Sequence, residues 1–181
     1  MFCYYYAHAL FLITTIVFVK ATDVNFQRYT EIANNCCPEE ASKCCASSIQ
    51  HRQPLNCSLT FENLISASNC IQKSLFGVKS LRISRIEDVE CCNVFTEIKP
   101  GTDCVPSCVN TLRTPSIRSV EKLKSINSCR PNNRYFTCFR QCQAFLRSRR
   151  NANEKFPYLA VCDLVDRLET GVLYIGPELN E

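Results

Sequence analysis

Apolar residues recur at every third or fourth position in four stretches of the chain. That spacing lays them along one face of a helix. Phe61, Leu64, Ile65, Ile71 and Leu75 form the first stripe, with Thr60 placed to cap it. Ile117, Val120, Leu123 and Ile126 form the second, with Ser116 in the N-cap position after Pro115. Tyr135, Phe136, Phe139, Cys142, Phe145 and Leu146 form the third. Tyr158, Val161, Leu164, Val165 and Leu168 form the fourth, with Phe156-Pro157 before it and Gly171 after it, where start and stop signals belong. Strict alternation, the mark of a half-buried strand, is nearly absent. The pattern predicts a predominantly α-helical domain whose aromatic stripes face a core.

A fifth apolar stretch has a different character. Tyr4 to Val19 is almost unbroken, and Val19-Lys20-Ala21 then supplies small residues at the −3 and −1 positions of a cleavage site. Residues 1–21 therefore read as a secretory signal peptide, and 22–181 as one cysteine-rich helical domain. The run is shorter than the ~20 residues that span a bilayer, and no later stretch is long and apolar enough. The reading places the protein outside the cell with no membrane span after signal removal.

Cysteine changes the picture most. The chain has 15, and losing the leader removes Cys3 and leaves an even set of 14, as a closed disulfide framework needs. They fall into two blocks. Cys36, Cys37, Cys44, Cys45, Cys57 and Cys70 lie in a subblock over 30–80. Cys91, Cys92, Cys104, Cys108, Cys129, Cys138, Cys142 and Cys162 lie in another over 81–170. The cysteine-free stretch from Gln72 to Glu90 reads as a connection ending in a short helix over Ser84–Glu90. Each block opens with an adjacent Cys-Cys pair. A bridge between neighbours strains the peptide between them, so each pair is expected to reach two partners. Cys104/Cys108 and Cys138/Cys142, at i, i+4, place two sulfurs on one helix face, with Pro106 confined to a first turn. A direct clamp between these two helices is one option among on the order of 10⁵ pairings. The expected fold is an all-α, disulfide-rich small bundle with two interlocked cysteine blocks.

The chain offers few parts for catalysis. Of its two histidines, His8 lies in the leader, and His51 sits in a turn-like Ile49-Gln50-His51-Arg52-Gln53-Pro54 stretch. No Cys-x-x-Cys zinc-ligand pair occurs. Secreted phospholipases A2 place His-Asp after a Cys-Cys pair, whereas Asn93-Val94-Phe95 follows Cys91-Cys92 here. No enzyme activity, metal or cofactor is expected. Net charge is +4, falling to +3 without Lys20, too mild to imply nucleic-acid binding. Asn56-Cys57-Ser58 is a glycosylation sequon with a cysteine at its centre. Arg147-Ser148-Arg149-Arg150 fits a furin-type processing pattern. The favoured reading is a helix C-terminus, where cations oppose the macrodipole, since the run ends the aromatic-striped helix; a small patch for heparin-like anions is a third option.

The run Cys91-Cys92, Cys104-Val105-Pro106-Ser107-Cys108, Cys129, Cys138 resembles one half of the nematode DB module, a secreted cysteine-rich domain of duplicated arrangement. The block from Cys36-Cys37 is similar to a diverged first half, with Cys44-Cys45 where that family has Cys-x₃-Cys. The resemblance implies an extracellular protein found alone or beside adhesion-type domains, and it supplies no catalytic residues. The leading expectation is a secreted interaction module that binds an extracellular protein or matrix component. The alternatives are a signalling ligand or receptor-like factor processed after Arg150, and a lipid carrier.

Overall fold

The computed structural model describes residues 25–97, 104–131, 133–149, 151 and 153–162. Residues 1–21, read above as a leader, Gly171 and the end of the last stripe lie outside them. The described residues form helices and connecting turns, with no strand among them. Helix α1 covers 25–36, α2 Ser42–Gln50, α3 Phe61–Phe76 and α4 Lys79–Ile83. A 3-10 helix over Ile86–Asn93 leads into α5 (Val94–Glu97), followed by α6 (Cys104–Leu112), α7 (Ser119–Asn127) and α8 (Tyr135–Ser148). A further helix begins at 158.

The local rules account for most of these elements. Thr60 caps α3, its Oγ1 accepting from the Asn63 N–H at 3.3 Å, which satisfies one orphan donor of the first turn. Gly77 ends α3 with φ +78°, a left-handed conformation glycine adopts without steric cost. Pro106 falls in the first turn of α6, where its missing N–H breaks no helical bond. The aromatic stripe of α8 is the face it buries: Cys138, Phe139, Cys142 and Leu146 are buried, with Phe95 and Phe136 stacked against Phe139.

Four local expectations are corrected. Ser116 is not the cap of α7; that helix starts at Ser119 with Arg118 before it, because Thr114, Pro115 and Ser116 are themselves buried in the preceding turn. The α7 stripe is also rotated. Its buried positions are Ser119, Lys122 and Ile126, while Val120 is 66 % exposed. Phe61 is likewise exposed, because α3 packs through Ala67, Ser68, Ile71 and Gln72. The connection is more ordered than a link ending in one short helix. α3 runs through its first part, α4 follows, and the predicted helix over 84–90 is a 3-10 helix starting at Ile86.

Two apolar cores result. One gathers Ala33, Ala46, Ile49, Leu55, Ala67 and Ile71. The other gathers Val94, Phe95, Leu112, Ile126, Phe139 and Leu146. The disulfides follow the same division. Cys36–Cys70, Cys37–Cys45 and Cys44–Cys57 staple the first core. Cys91–Cys142, Cys92–Cys108, Cys104–Cys129 and Cys138–Cys162 staple the second. Every adjacent pair reaches two different partners. The α6 and α8 cysteines are not clamped to each other; each helix ties to two other segments. Among the described residues no bridge crosses from one block to the other.

Candidate functional site

With no covalent crossing, the blocks must be joined by other means. Leu55 and Arg113 make one tie: the Leu55 N–H donates to the Arg113 carbonyl at 3.0 Å, and Arg113 Nη2 donates back to the Leu55 carbonyl at 3.0 Å. A second is Asn69, whose Nδ2 donates to the Glu87 carboxylate at 3.1 Å, and a third is a buried polar joint between α3, α4 and α7, with the Asp88 cluster of the 3-10 helix and α8 beside it. Lys122 of α7 is fully buried and donates from Nζ to Gln72 Oε1 at 2.7 Å and to the Leu112 carbonyl at 3.4 Å. Gln72 Nε2 donates to the Ser84 carbonyl and to Ser119 Oγ, and Ser119 Oγ donates to the Ser80 carbonyl at 2.8 Å. Asp88, also fully buried, accepts from the Arg85 N–H at 3.1 Å, from Gln143 Nε2 and from Arg147 Nη2 at 3.1 Å.

These groups are buried because each is partnered; an unpaired charge there would be far costlier. Their proton affinities still register the burial. Desolvation pushes the Lys122 ammonium down to about 7, with Asp88 pulling the other way. Desolvation raises the Asp88 carboxyl, and Arg147, the Arg85 N–H and Gln143 oppose it. Lys122, Gln72, Asp88 and Gln143 are all sealed from water, so the joint and the cluster beside it have the form of a structural lock. Hydrophobic patterning overlooks such residues; the available signal was a lysine and a serine at i, i+3 on a helix whose apolar face is incomplete.

The joint surfaces at Ser80 and Ser119 into an open groove of about 630 Å³ between α3, α4 and α7. Leu75, Phe76, Ile83 and Val120 give it an apolar floor and wall. A second recess continues past Leu75, Phe76 and Arg118 to α1 and the end of α2. Arg28, Arg52, Lys79 and Arg118 line the combined surface, with Glu121 as its acid. None of the four cations has an ion-pair partner among the described residues.

The other sequence candidates lie elsewhere. Asn56 is exposed in the α2–α3 loop beside bridged Cys57. His51 is exposed at the end of α2. Arg147 pairs with Asp88, and Arg149 with Glu90 at 3.1 Å; Arg150 lies outside the described residues. Among the described residues no cluster of His, Cys, Asp and Glu could hold a metal, and no helix is long and apolar enough to cross a membrane.

Comparison with known proteins resolves the family. Protein her-1 of Caenorhabditis elegans is 27 % identical over 119 residues, covering 63 % of this chain and 68 % of that protein. The crystal structure of C. elegans HER-1 is similar at a TM-score of 0.57 and 26 % identity, covering 67 % of this chain and 88 % of that one. These matches support a nematode cysteine-rich secreted family, and not specifically the DB module. The family model for Caenorhabditis elegans Her-1 matches residues 25–166, and the chain therefore belongs to the Her-1 family.

Proposed function

We propose that this chain is a secreted, non-catalytic signalling ligand that acts by binding an extracellular protein partner as a single unit. The observation that carries the reading is membership of the Her-1 family across both cysteine blocks. Seven disulfides support it as well, because such a framework persists in an oxidising compartment and each bridge typically adds ~2–4 kcal/mol. Residues 1–21 act as the leader, and Asn56 is the position a glycan would take. The arginines at 147 and 149 serve the fold through their ion pairs, which supports the helix-terminus reading over processing after Arg150.

The test is expression of the full chain in a secreting animal cell line, followed by binding of the purified product to dissociated nematode cells. The expected result is an exported protein beginning at Thr22, with no free thiols, that binds cells saturably. Retention inside the producing cells, or binding that never saturates, overturns the reading. Loss of mass on treatment with a peptide N-glycosidase checks Asn56 separately.

A further inference from the structure

We propose that the groove between α3, α4 and α7 is the ligand's docking surface, and that its occupant is an acidic peptide segment with an apolar anchor on the extracellular protein partner. This rests on the ligand reading above and adds where, and to what chemistry, the ligand binds.

Three features of the groove point to that occupant. The first is charge. Arg28, Arg52, Lys79 and Arg118 converge on one surface without ion-pair partners among the described residues, whereas Arg147 and Arg149 are each matched to a carboxylate. Like charges gathered this way repel one another, and a guest bearing carboxylates relieves that repulsion. α7 opens at Ser119 on the same surface, so the positive end of its macrodipole adds to the field. The second is the floor. Val120 is 66 % exposed and Ile83 37 %, beside the half-buried Leu75 and Phe76. A soluble surface seldom gathers such side chains without a use, and an aliphatic or aromatic anchor set among them supplies the desolvated centre of a hot spot. The third is shape. The floor is recessed between helices, and a sulfated polysaccharide or an anionic bilayer would engage the cations while leaving it wet.

The test uses the full secreted chain and a synthetic probe, acetyl-Asp-Glu-Leu-Phe-Asp-Glu-amide, with a control peptide carrying Ser in place of Leu and Phe. Amide shift mapping is expected to localise the first peptide to Leu75–Ile83 and Arg118–Glu121, with the control about tenfold weaker. K79E/R118E and, separately, V120D are each expected to weaken the probe about tenfold or more, while K43E on α2 leaves it unchanged. All sites changed are exposed, so circular dichroism is expected to stay that of the parent. Peptide binding elsewhere, binding indifferent to both groove variants, or capture of heparin or phosphatidylserine vesicles in preference to the peptide overturns the proposal. The nematode-cell assay separates this proposal from the one it rests on. If the parent binds cells and K79E/R118E binds equally well, the groove is wrong and the ligand reading stands. If the parent binds no cells, the ligand reading fails, and the peptide titration still decides the groove.

Discussion

The ammonium of Lys122 meets Oε1 of Gln72 at 2.7 Å across the junction of two separately stapled cores. A fully buried cation thus sits where a helix bundle would ordinarily place an aliphatic side chain. Its burial makes stability depend on pH. The folded-state value is about 7, below the 10.5 of an unperturbed lysine, so between these the unfolded chain binds more protons. Stability therefore rises with pH through that window and is lowest below it. From about pH 7 to about pH 9 the gain is on the order of 2 kcal/mol. Thermal unfolding of the oxidised protein across that range is expected to show a rising Tm, and K122M is expected to flatten the rise.

Asp88 depends on Arg147 beside that joint. Removing one partner of a buried pair leaves the other charge uncompensated, which typically costs 3–5 kcal/mol. Arg147 is partly exposed, so water replaces some of its contribution and the lower end is expected. R147A is predicted to lose about 3 kcal/mol in denaturant titration, and D88N/R147A less than the single change. A double variant as costly as the separate changes added together would show that the two residues do not act as a pair.

The ion pairs of Arg147 and Arg149 also bear on proteolysis. A furin-type enzyme needs both side chains free and the backbone extended, and here they are held by Asp88 and Glu90 at the end of α8. The native chain is expected to stay intact with such a protease. D88N/E90Q is expected to be cut faster, as seen on reducing gels. Rapid cutting of the parent would return Arg150 to the status of a processing site.

The bridges differ in the length of chain they restrict. Cys91–Cys142 spans 51 residues and Cys37–Cys45 spans 8. On loop entropy their removal is expected to cost about 4 and about 2.5 kcal/mol respectively. Paired alanine variants in chemical denaturation check the order. Because the bridges stay within their blocks, loss of Cys37–Cys45 is expected to leave hydrogen-exchange protection of α8 nearly unchanged.

What could be read from the residues follows from how each element is stabilised. α3 and α8 were legible because hydrophobic period and cap agree: Thr60 caps α3, and Phe139, Cys142 and Leu146 lie on the buried face of α8. α7 is present where the stripe predicts a helix, but its buried face differs because two of its inward positions are polar and satisfied by residues remote in sequence. Ser119 and Lys122 are inside on account of Gln72 and Ser80, which no local pattern connects to them. The division of cysteines into blocks was visible along the chain, but their pairing needed the folded path. The groove was hidden because Arg28, Arg52, Lys79 and Arg118 lie on four different segments and meet only after folding.

The confinement of each bridge to its own block makes the two halves separable units of inheritance. A splice near Gly77, where α3 ends, would carry three complete bridges one way and four the other. Halves drawn from two related genes would have to agree on the polar contacts that cross that splice: Leu55 with Arg113, Asn69 with Glu87, and Gln72 with Ser84, Ser119 and Lys122. Recombination within such a family can therefore trade one half without rewriting the cysteines of the other.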